Sequence, residues 1–381
     1  MYPLNPLFAI VIFGVAYLTA YLIQLKYKNV VTSGRYETID GLRGFLAIGV
    51  FIHHSSIWYQ LIQTGNWELP DSNFYSQLGQ TSVALFFMIT SFLFITKLIN
   101  TGEKFFNWKH FFVSRIFRLA PMYYFSLTII IIYVMFISNW KLNVPAIEWI
   151  QSIAQWLLFT TIDMPLINNV GITSLINASV SWSLSFEWLF YFSMPLLGLF
   201  ILKVKPPAFY LIAALVVSAI IIKSHNISSL HHVVSFAGGA IAPFLIKYSA
   251  VNKKAKSIVF SMLIILCIVL LGQFHTSESV LCKILIAVAF TCIALGNDIF
   301  GILKKPVFKF LGEISYSTYL LHGILLFTVF HFGFGMEKSK MLSPTQFYGL
   351  IFLITPVLVL ISFLGFNYIE KPFINLSKRI N

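Results

Sequence analysis

Two side chains that could carry chemistry lie eleven residues apart in an otherwise apolar stretch. Arg43 closes the sequence Asp40-Gly-Leu-Arg, and His54 lies further along the same hydrophobic run. Eleven residues are close to three turns of an α-helix, so the two side chains would share one face, about 16 Å apart along the axis. A guanidinium binds anions and an imidazole takes up a proton near neutral pH. The spacing therefore predicts a polar path with a cation at one end and a base at mid-membrane depth.

The neighbouring residue His53 would point about 100° away on the same helix, which makes it the secondary candidate for a base. A structural alternative exists for the pair as well. Arg43 could anchor the helix at the cytoplasmic interface, and His54 could be a buried histidine with its hydrogen bonds satisfied. The shared face favours the functional interpretation.

A carboxylate and a hydroxyl lie four residues apart in the sequence Trp182-Ser183-Leu-Ser-Phe-Glu187. Residues i and i+4 are neighbours on a helix face. If this helix enters from outside, Glu187 would lie about 9 Å below its start, near the depth of His54. A carboxylate beside an imidazole can fix its tautomer and support its charged form. The alternative is a structural ion pair between helices.

Two further polar groups interrupt apolar sequence. Ser315, Tyr319 and His322 would lie on one stripe of a later helix, where polar side chains can also hold membrane helices together. Arg115 and Arg118 lie three positions apart and precede Pro121-Met-Tyr123. Two adjacent guanidinium groups suit bidentate binding of phosphates, although the enrichment of basic residues at the cytoplasmic face would also explain them.

The composition requires that these groups be held in a membrane. The chain of 381 residues is 58% hydrophobic and only 10% charged, against roughly 25% charged in a soluble domain. The net charge of +13 is not arranged as a basic stripe with interleaved aromatics, so nucleic acid is not an expected partner. Cys267, Cys282 and Cys292 lack metal-ligand spacing and are expected to be buried packing residues, and no metal is expected.

Hydropathy predicts an all-α, polytopic membrane bundle of about eleven transmembrane helices. Each span needs about 20 largely apolar residues, and the candidates are 5–25, 41–60, 81–97, 119–138, 182–202, 207–222, 232–247, 257–273, 280–296, 314–334 and 346–368. Segment 146–162 is shorter and interrupted by polar residues, so it is expected to lie at the outer interface.

The distribution of basic residues supports this arrangement. With the N-terminus periplasmic and the C-terminus cytoplasmic, 21 of the 26 Lys and Arg residues fall on the cytoplasmic side, as the positive-inside rule requires. If segment 146–162 crossed the membrane, every later loop would change sides and the bias would be lost.

Six motifs in order resemble the acyltransferase 3 family of membrane proteins. Asp40-Gly-Leu-Arg43 with His54 matches the family's Arg-x10-His signature, and the others are Val83-Ala-Leu-Phe-Phe87 through Ser91-Phe92, Arg115-Ile-Phe-Arg118-Leu-Ala-Pro121-Met-Tyr123, Trp182 through Tyr191, Ser315-Tyr316 through His322, and Tyr368-Ile-Glu370-Lys-Pro372. The second motif departs from the family, which usually has Asp where Ala84 stands and Gly where Ser91 stands. The resemblance divides the chain into an additional N-terminal helix with a cytoplasmic linker (1–34) and the acyltransferase 3 membrane domain (35–381).

The resemblance implies O-acyl transfer, usually of acetyl, from cytoplasmic acetyl-CoA to a carbohydrate hydroxyl of O-antigen, capsule or exopolysaccharide, in the bacterial inner membrane. His54 and Glu187 would then be catalytic, and Arg43, Arg115 and Arg118 would bind the donor. The expected substrate-binding residues are Asp40, Tyr123, Trp182, Ser183, Ser315, Tyr316 and His322.

The expected partners are a glycan or lipid-linked saccharide, membrane lipids and, as an alternative acceptor, a separate periplasmic acyl-accepting protein. A polytopic transporter or flippase of a glycan is the alternative from another class, because mid-membrane His and Glu residues also serve as proton relays.

Overall fold

The computed structural model describes residues 4–27, 36–101, 106–202, 206–224, 231–248 and 257–379, and within these ranges it is helical without strands. The helices are α1 (Pro6–Lys26), α2 (Glu37–Thr64), α3 (Asn73–Thr101), α4 (Trp108–Ile137), α5 (Ala146–Leu157), α6 (Trp182–Leu202), α7 (Ala208–Ser224), α8 (His231–Tyr248), α9 (Ile258–Leu271), α10 (Val280–Ala294), α11 (Pro306–Glu313), α12 (Ser315–Phe327), α13 (Met336–Lys340), α14 (Pro344–Gly365) and α15 (Lys371–Ser377). Wide π-helical turns continue α12 over Thr328–Phe334 and join α14 to α15 over Phe366–Glu370. The predicted fold class, a polytopic helical membrane bundle, is confirmed.

Each of the eleven predicted spans coincides with a helix. Seven helical segments of the described chain are long and apolar enough to cross a membrane, and they contain α1, α2, α3, α4, α6, α12 and α14. The other four, α7 to α10, have 14 to 18 residues. At 1.5 Å per residue these helices measure about 21–27 Å, somewhat less than a hydrocarbon core of about 30 Å.

Segment 146–162 forms α5 and the turn after it. The helix has 12 residues, about 18 Å, which is too short to cross a bilayer. One of its faces is exposed and carries Ile147 and Ile150, whereas Trp156 is fully buried and its indole N–H donates to the Pro165 carbonyl at 2.9 Å. This geometry agrees with a helix that lies along the bundle instead of spanning it.

The start of α2 packs unusually close to the segment around α11. A Cβ on Gly41 would lie 1.8 Å from the Leu303 carbonyl oxygen, and a Cβ on Gly312 would lie 1.9 Å from the Asp40 carbonyl oxygen. Only glycine allows the two backbones to approach this closely. The glycine in Asp40-Gly-Leu-Arg43 therefore fixes the position of Arg43 against α11.

Helix α1 packs on the bundle through aromatic contacts with α14. The rings of Phe8 and Tyr348 stack with centroids 4.2 Å apart, and the Tyr75 hydroxyl donates to the Asn5 carbonyl at 2.9 Å. The division of the chain into an added first helix and a shared domain stays a prediction. The three cysteines are buried, as expected of packing residues.

Candidate active site

His54 of α2 meets His322 of α12 in the interior of the bundle. The Nδ1 atom of His54 lies 3.0 Å from Nε2 of His322, and the two ring centroids are 5.0 Å apart. His322 is completely buried, while His54 is partly exposed to a cavity. Sequence analysis selected both residues but did not predict their contact.

Backbone carbonyls fix the tautomers of this pair. Nδ1 of His322 lies 3.1 Å from the Thr318 carbonyl oxygen, and since a carbonyl only accepts, Nδ1 must carry the proton. The Nε2 atom of neutral His322 is then an acceptor, so Nδ1 of His54 donates to it. The remaining lone pair of His54 is on Nε2. The Val50 carbonyl oxygen also lies 3.1 Å from Nδ1 of His54 and shares its proton. His322 and Val50 together hold His54 in the tautomer that a general base needs.

His53 has a different environment from its neighbour. Its Nδ1–H donates to the Tyr75 carbonyl at 2.8 Å, and its ring packs against Gly79 of α3, where a Cβ would lie 2.2 Å from the ring. One nitrogen of His53 is therefore engaged by α3. This agrees with its assignment as the secondary candidate.

A first cavity of about 260 Å³ lies beside His54, and we call it the histidine cavity. Its polar lining comes from α2, α3, α6, α8, α10 and α12 and from the segment before α10, and includes His53, His54, Trp182, His231, His232, Glu278 and Lys283. Trp182, predicted to bind substrate, lies here with its ring centroid 4.5 Å from that of His232.

A second cavity of about 350 Å³ lies toward the start of α2, and we call it the arginine cavity. The predicted residues that line it are Arg43, Arg115, Arg118, Ser183, Glu187, Ser315 and Tyr316. The rest of its wall is largely apolar, with Phe86, Leu93 and Phe94 among its members. Its volume lies within the range of about 300–1,000 Å³ that is typical of small-molecule sites. The buried Ser315 hydroxyl has no hydrogen-bond partner within the described chain, which leaves it available to a ligand.

The two predicted phosphate-binding arginines differ in their partners. Arg118 forms an ion pair with Glu370 at 2.9 Å, and the Glu370 side chain is completely buried and also accepts from Ser317. Arg115 instead lies over the ring of Phe94, 4.9 Å from its centroid. The charge of Arg118 is therefore already balanced inside the protein, and Arg115 is the better placed of the two for an external anion.

The sequence analysis expected Glu187 beside His54, but the structure places Glu187 elsewhere. It lines the arginine cavity, accepts a hydrogen bond from Tyr191 and interacts with the charges of Arg115, Arg118 and Arg43. The imidazole partner of His54 is His322. The helical depth of Glu187 did not determine which neighbouring helix its face would meet, and that face meets the arginines.

Tyr319 and Val83 line both cavities and so form the wall between them. The Tyr319 hydroxyl lies 2.8 Å from the Ser183 hydroxyl, and its ring centroid lies 6.0 Å from that of His322. The predicted stripe of Ser315, Tyr319 and His322 therefore runs from the arginine cavity to the histidine pair.

Three predicted substrate-binding residues line neither cavity, and one of them is His322, which contacts His54. Tyr123 is 1% exposed, and its hydroxyl donates to the Trp156 carbonyl at 2.7 Å, which fastens the end of α5 to α4. Asp40 lies in the first turn of α2, where its backbone meets Gly312. These contacts are made within the protein, and the binding of substrate by Tyr123 and Asp40 stays a prediction.

Three residues of the site were not selected from the sequence. Glu370 was included only as part of a motif and Tyr319 only as part of a stripe, and Lys283 was not singled out. Buried charge was the available signal for Glu370 and Lys283, since ionisable groups in a membrane protein are rarely without a role.

A comparison with protein families identifies the family of this chain. A family model described as an acyltransferase domain, that of acyltransferase 3, matches residues 36–364. The match covers most of the chain, and the protein belongs to the acyltransferase 3 family. It is therefore a membrane acyltransferase. Searches of the curated proteins and of the solved structures gave no match.

Proposed function

We propose that the protein transfers an acetyl group from cytoplasmic acetyl-CoA to a hydroxyl of a cell-surface or lipid-linked glycan, in the cytoplasmic membrane of a bacterium. The observation that carries the proposal is the position of His54, which lines one cavity while a single wall of Tyr319 and Val83 separates that cavity from another lined by arginines. Two substrates could approach this wall from opposite sides.

The arginine cavity suits the donor. Its apolar wall, including Phe86 and Leu93, would pack against the pantetheine arm and the short acyl chain, and Arg43 and Arg115 would attract the anionic groups of coenzyme A. Glu187 and Tyr191 would hold Arg115 in place, a supporting role instead of direct proton transfer. Arg118, paired with Glu370, would stiffen the same wall.

The histidine cavity suits the acceptor. For the two substrates to meet, the acetyl group would pass the Tyr319 side chain that separates the cavities. Nε2 of His54 would then take the proton of the sugar hydroxyl as the hydroxyl oxygen attacks the thioester carbonyl. The carbon–sulfur bond then breaks, and the thiolate of coenzyme A leaves and takes up the proton held by His54, which returns to its neutral form. His322 would keep Nδ1–H of His54 pointing away from the substrate throughout. A sugar hydroxyl is a poor nucleophile, and a positioned base accelerates such a step by about 10²–10⁴-fold.

The direct test uses membrane vesicles that contain the full chain, supplied with radiolabelled acetyl-CoA and the glycans of the host. Label should move into glycan and free coenzyme A should accumulate, and mass spectrometry should find glycans heavier by one acetyl group than those of a deletion strain. Translocation of glycan without any consumption of acetyl-CoA would overturn the proposal in favour of a flippase.

A further inference from the structure

Lys283 is a buried cation that the proposed acyl transfer does not use. It lies in the first turn of α10, is only 5% exposed and lines the histidine cavity. Within the described part of the chain, its ammonium group makes neither a hydrogen bond nor an ion pair. A buried charge without a close partner is costly, so its position calls for an anion that is supplied from elsewhere.

The other charged and titratable groups around the cavity do not supply an anion close to the ammonium group of Lys283. Glu278 interacts with Lys283 at longer range, but its side chain is 60% exposed and its carboxylate lies 3.9 Å from His231. His232 packs between the rings of Trp182 and Phe186, with centroid distances of 4.5 and 5.0 Å. Glu278 is the acidic residue among the described residues that line the cavity. The other ionisable side chains of the lining are histidines, a tyrosine and Lys283 itself.

Two helices also direct their positive ends to this cavity. Helix α10 starts at Val280, next to the lining residues Ser277 and Glu278, and α6 starts at the lining residue Trp182. The N-terminus of a helix carries a partial positive charge that favours a nearby anion. Gln80 holds the approach to α10 in place, because its side-chain oxygen accepts from the Ser277 amide at 2.6 Å.

We propose that the histidine cavity binds an anionic group of the acceptor through Lys283, so that the acceptor is an acidic glycan. The anion is a sugar carboxylate or a phosphate, and Trp182 offers an aromatic face to the sugar ring beside it. The inference rests on the proposed function and adds the class of its acceptor. Lys283 then determines acceptor specificity, and His54 receives the proton from a hydroxyl of the sugar that Lys283 holds.

The test uses a deletion strain that expresses the wild-type chain or one of three variants. Lys283→Met removes the charge and keeps the length of the side chain, and Lys283→Arg keeps the charge. Lys338→Met is the matched control, because Lys338 is an exposed lysine of α13 that lines neither cavity. Mass spectrometry identifies the sugar that carries the acetyl group and its abundance. Binding of acetyl-CoA to each purified full-length variant reports whether the donor site is intact.

The proposal predicts that the acetylated sugar either carries a carboxylate or is bonded directly to a phosphate. The first result would identify the anion as a carboxylate, and the second would identify it as a phosphate. Lys283→Met should lower acetylation more than about tenfold with unchanged acetyl-CoA binding, while Lys283→Arg and Lys338→Met retain it. Acetylation of a neutral sugar remote from phosphate, or full acetylation by Lys283→Met, would overturn the inference and leave the proposed function standing. Absence of both acetylation and acetyl-CoA consumption in the wild type would overturn the proposed function itself.

Discussion

The Nδ1 atom of His54 lies 3.0 Å from Nε2 of His322, although the two residues are 268 positions apart in the chain. Because Nδ1–H of His322 is held by the Thr318 carbonyl, the proton between the rings belongs to His54. The hydrogen bond between the two rings therefore has a defined donor and acceptor. His322 accepts, His54 donates, and Nε2 of His54, a residue that lines the histidine cavity, carries the free lone pair.

His322 is expected to act as a positioning residue. His322→Leu should lower kcat on the order of 10²-fold, the cost of a misplaced catalytic group, and leave the KM for acetyl-CoA unchanged, since His322 does not line the arginine cavity. His322→Gln should recover part of the rate, because its side-chain oxygen can accept the proton of His54 Nδ1. Steady-state kinetics on purified protein checks both variants. Equal rates for the Leu and Gln variants would show that the acceptor atom is unimportant.

Replacement of Arg118 should lower the stability of the protein, whereas replacement of Arg115 should weaken the binding of acetyl-CoA. Arg118→Ala leaves the buried carboxylate of Glu370 unpaired, and breaking a buried ion pair costs about 3–5 kcal/mol. We expect a lower melting temperature and poor recovery from the membrane. Arg115→Ala should instead keep the fold and raise the KM for acetyl-CoA, and Arg115→Lys should restore affinity only in part because lysine lacks the planar fork.

Thermal unfolding in detergent and the dependence of rate on acetyl-CoA concentration separate these outcomes. The double variant Arg118→Met with Glu370→Met is the control, since it removes both charges together. It should be more stable than Arg118→Ala. A stable Arg118→Ala protein, or an Arg115→Ala protein with unchanged donor dependence, would contradict the roles assigned to them.

Gly323 should be intolerant of even a methyl group. It follows His322 in α12, and a Cβ there would lie 2.2 Å from the carbonyl carbon of Asn177. Gly323→Ala should destabilise the fold by about 1–3 kcal/mol through overpacking and reduce activity by moving His322. Gly349→Ala in α14 is the matched control, because nothing lies within 4 Å of its added Cβ. Gly323→Ala should melt at a lower temperature than Gly349→Ala. Equal melting temperatures would contradict the close packing at Gly323.

Reporter fusions test the predicted orientation. A reporter after Asn381 should be cytoplasmic, and one inserted near Trp67, between α2 and α3, should be periplasmic, because 21 of the 26 basic residues fall on the cytoplasmic side in this arrangement. Compartment-specific enzymes such as alkaline phosphatase measure this directly. Two reporters on the same side would mean that the number of spans is wrong.

Elements and motifs were predictable from the sequence because they depend on local properties. Apolar runs located every helix of the predicted spans, and interruption by polar residues distinguished α5. Helical spacing placed Ser183 and Glu187 on one face, and both line the arginine cavity. The buried packing of Tyr123 was not predictable in the same way, because a motif does not show whether its side chains serve packing or substrate.

Contacts between distant helices could not be predicted, because spacing along one helix does not reveal which helix it faces. His54 was matched with Glu187 on depth alone, whereas packing between α2 and α12 gave it His322. The pairing of Arg118 with Glu370 depends on the π-helical turn before α15, a local widening that no sequence pattern announces. The backbone approach at Gly41 also requires the partner segment to be known.

The measurement that tests the account most directly compares acetyl transfer by His54→Ala, His54→Gln and His53→Ala at equal amounts of folded protein in the membrane. Loss of a general base should lower the rate of His54→Ala by about 10²–10⁴-fold. His54→Gln should be equally impaired, because glutamine keeps donor and acceptor atoms but takes up no proton near neutral pH. His53→Ala should retain much of the activity. An active His54→Gln enzyme would remove His54 from the chemistry and contradict the account.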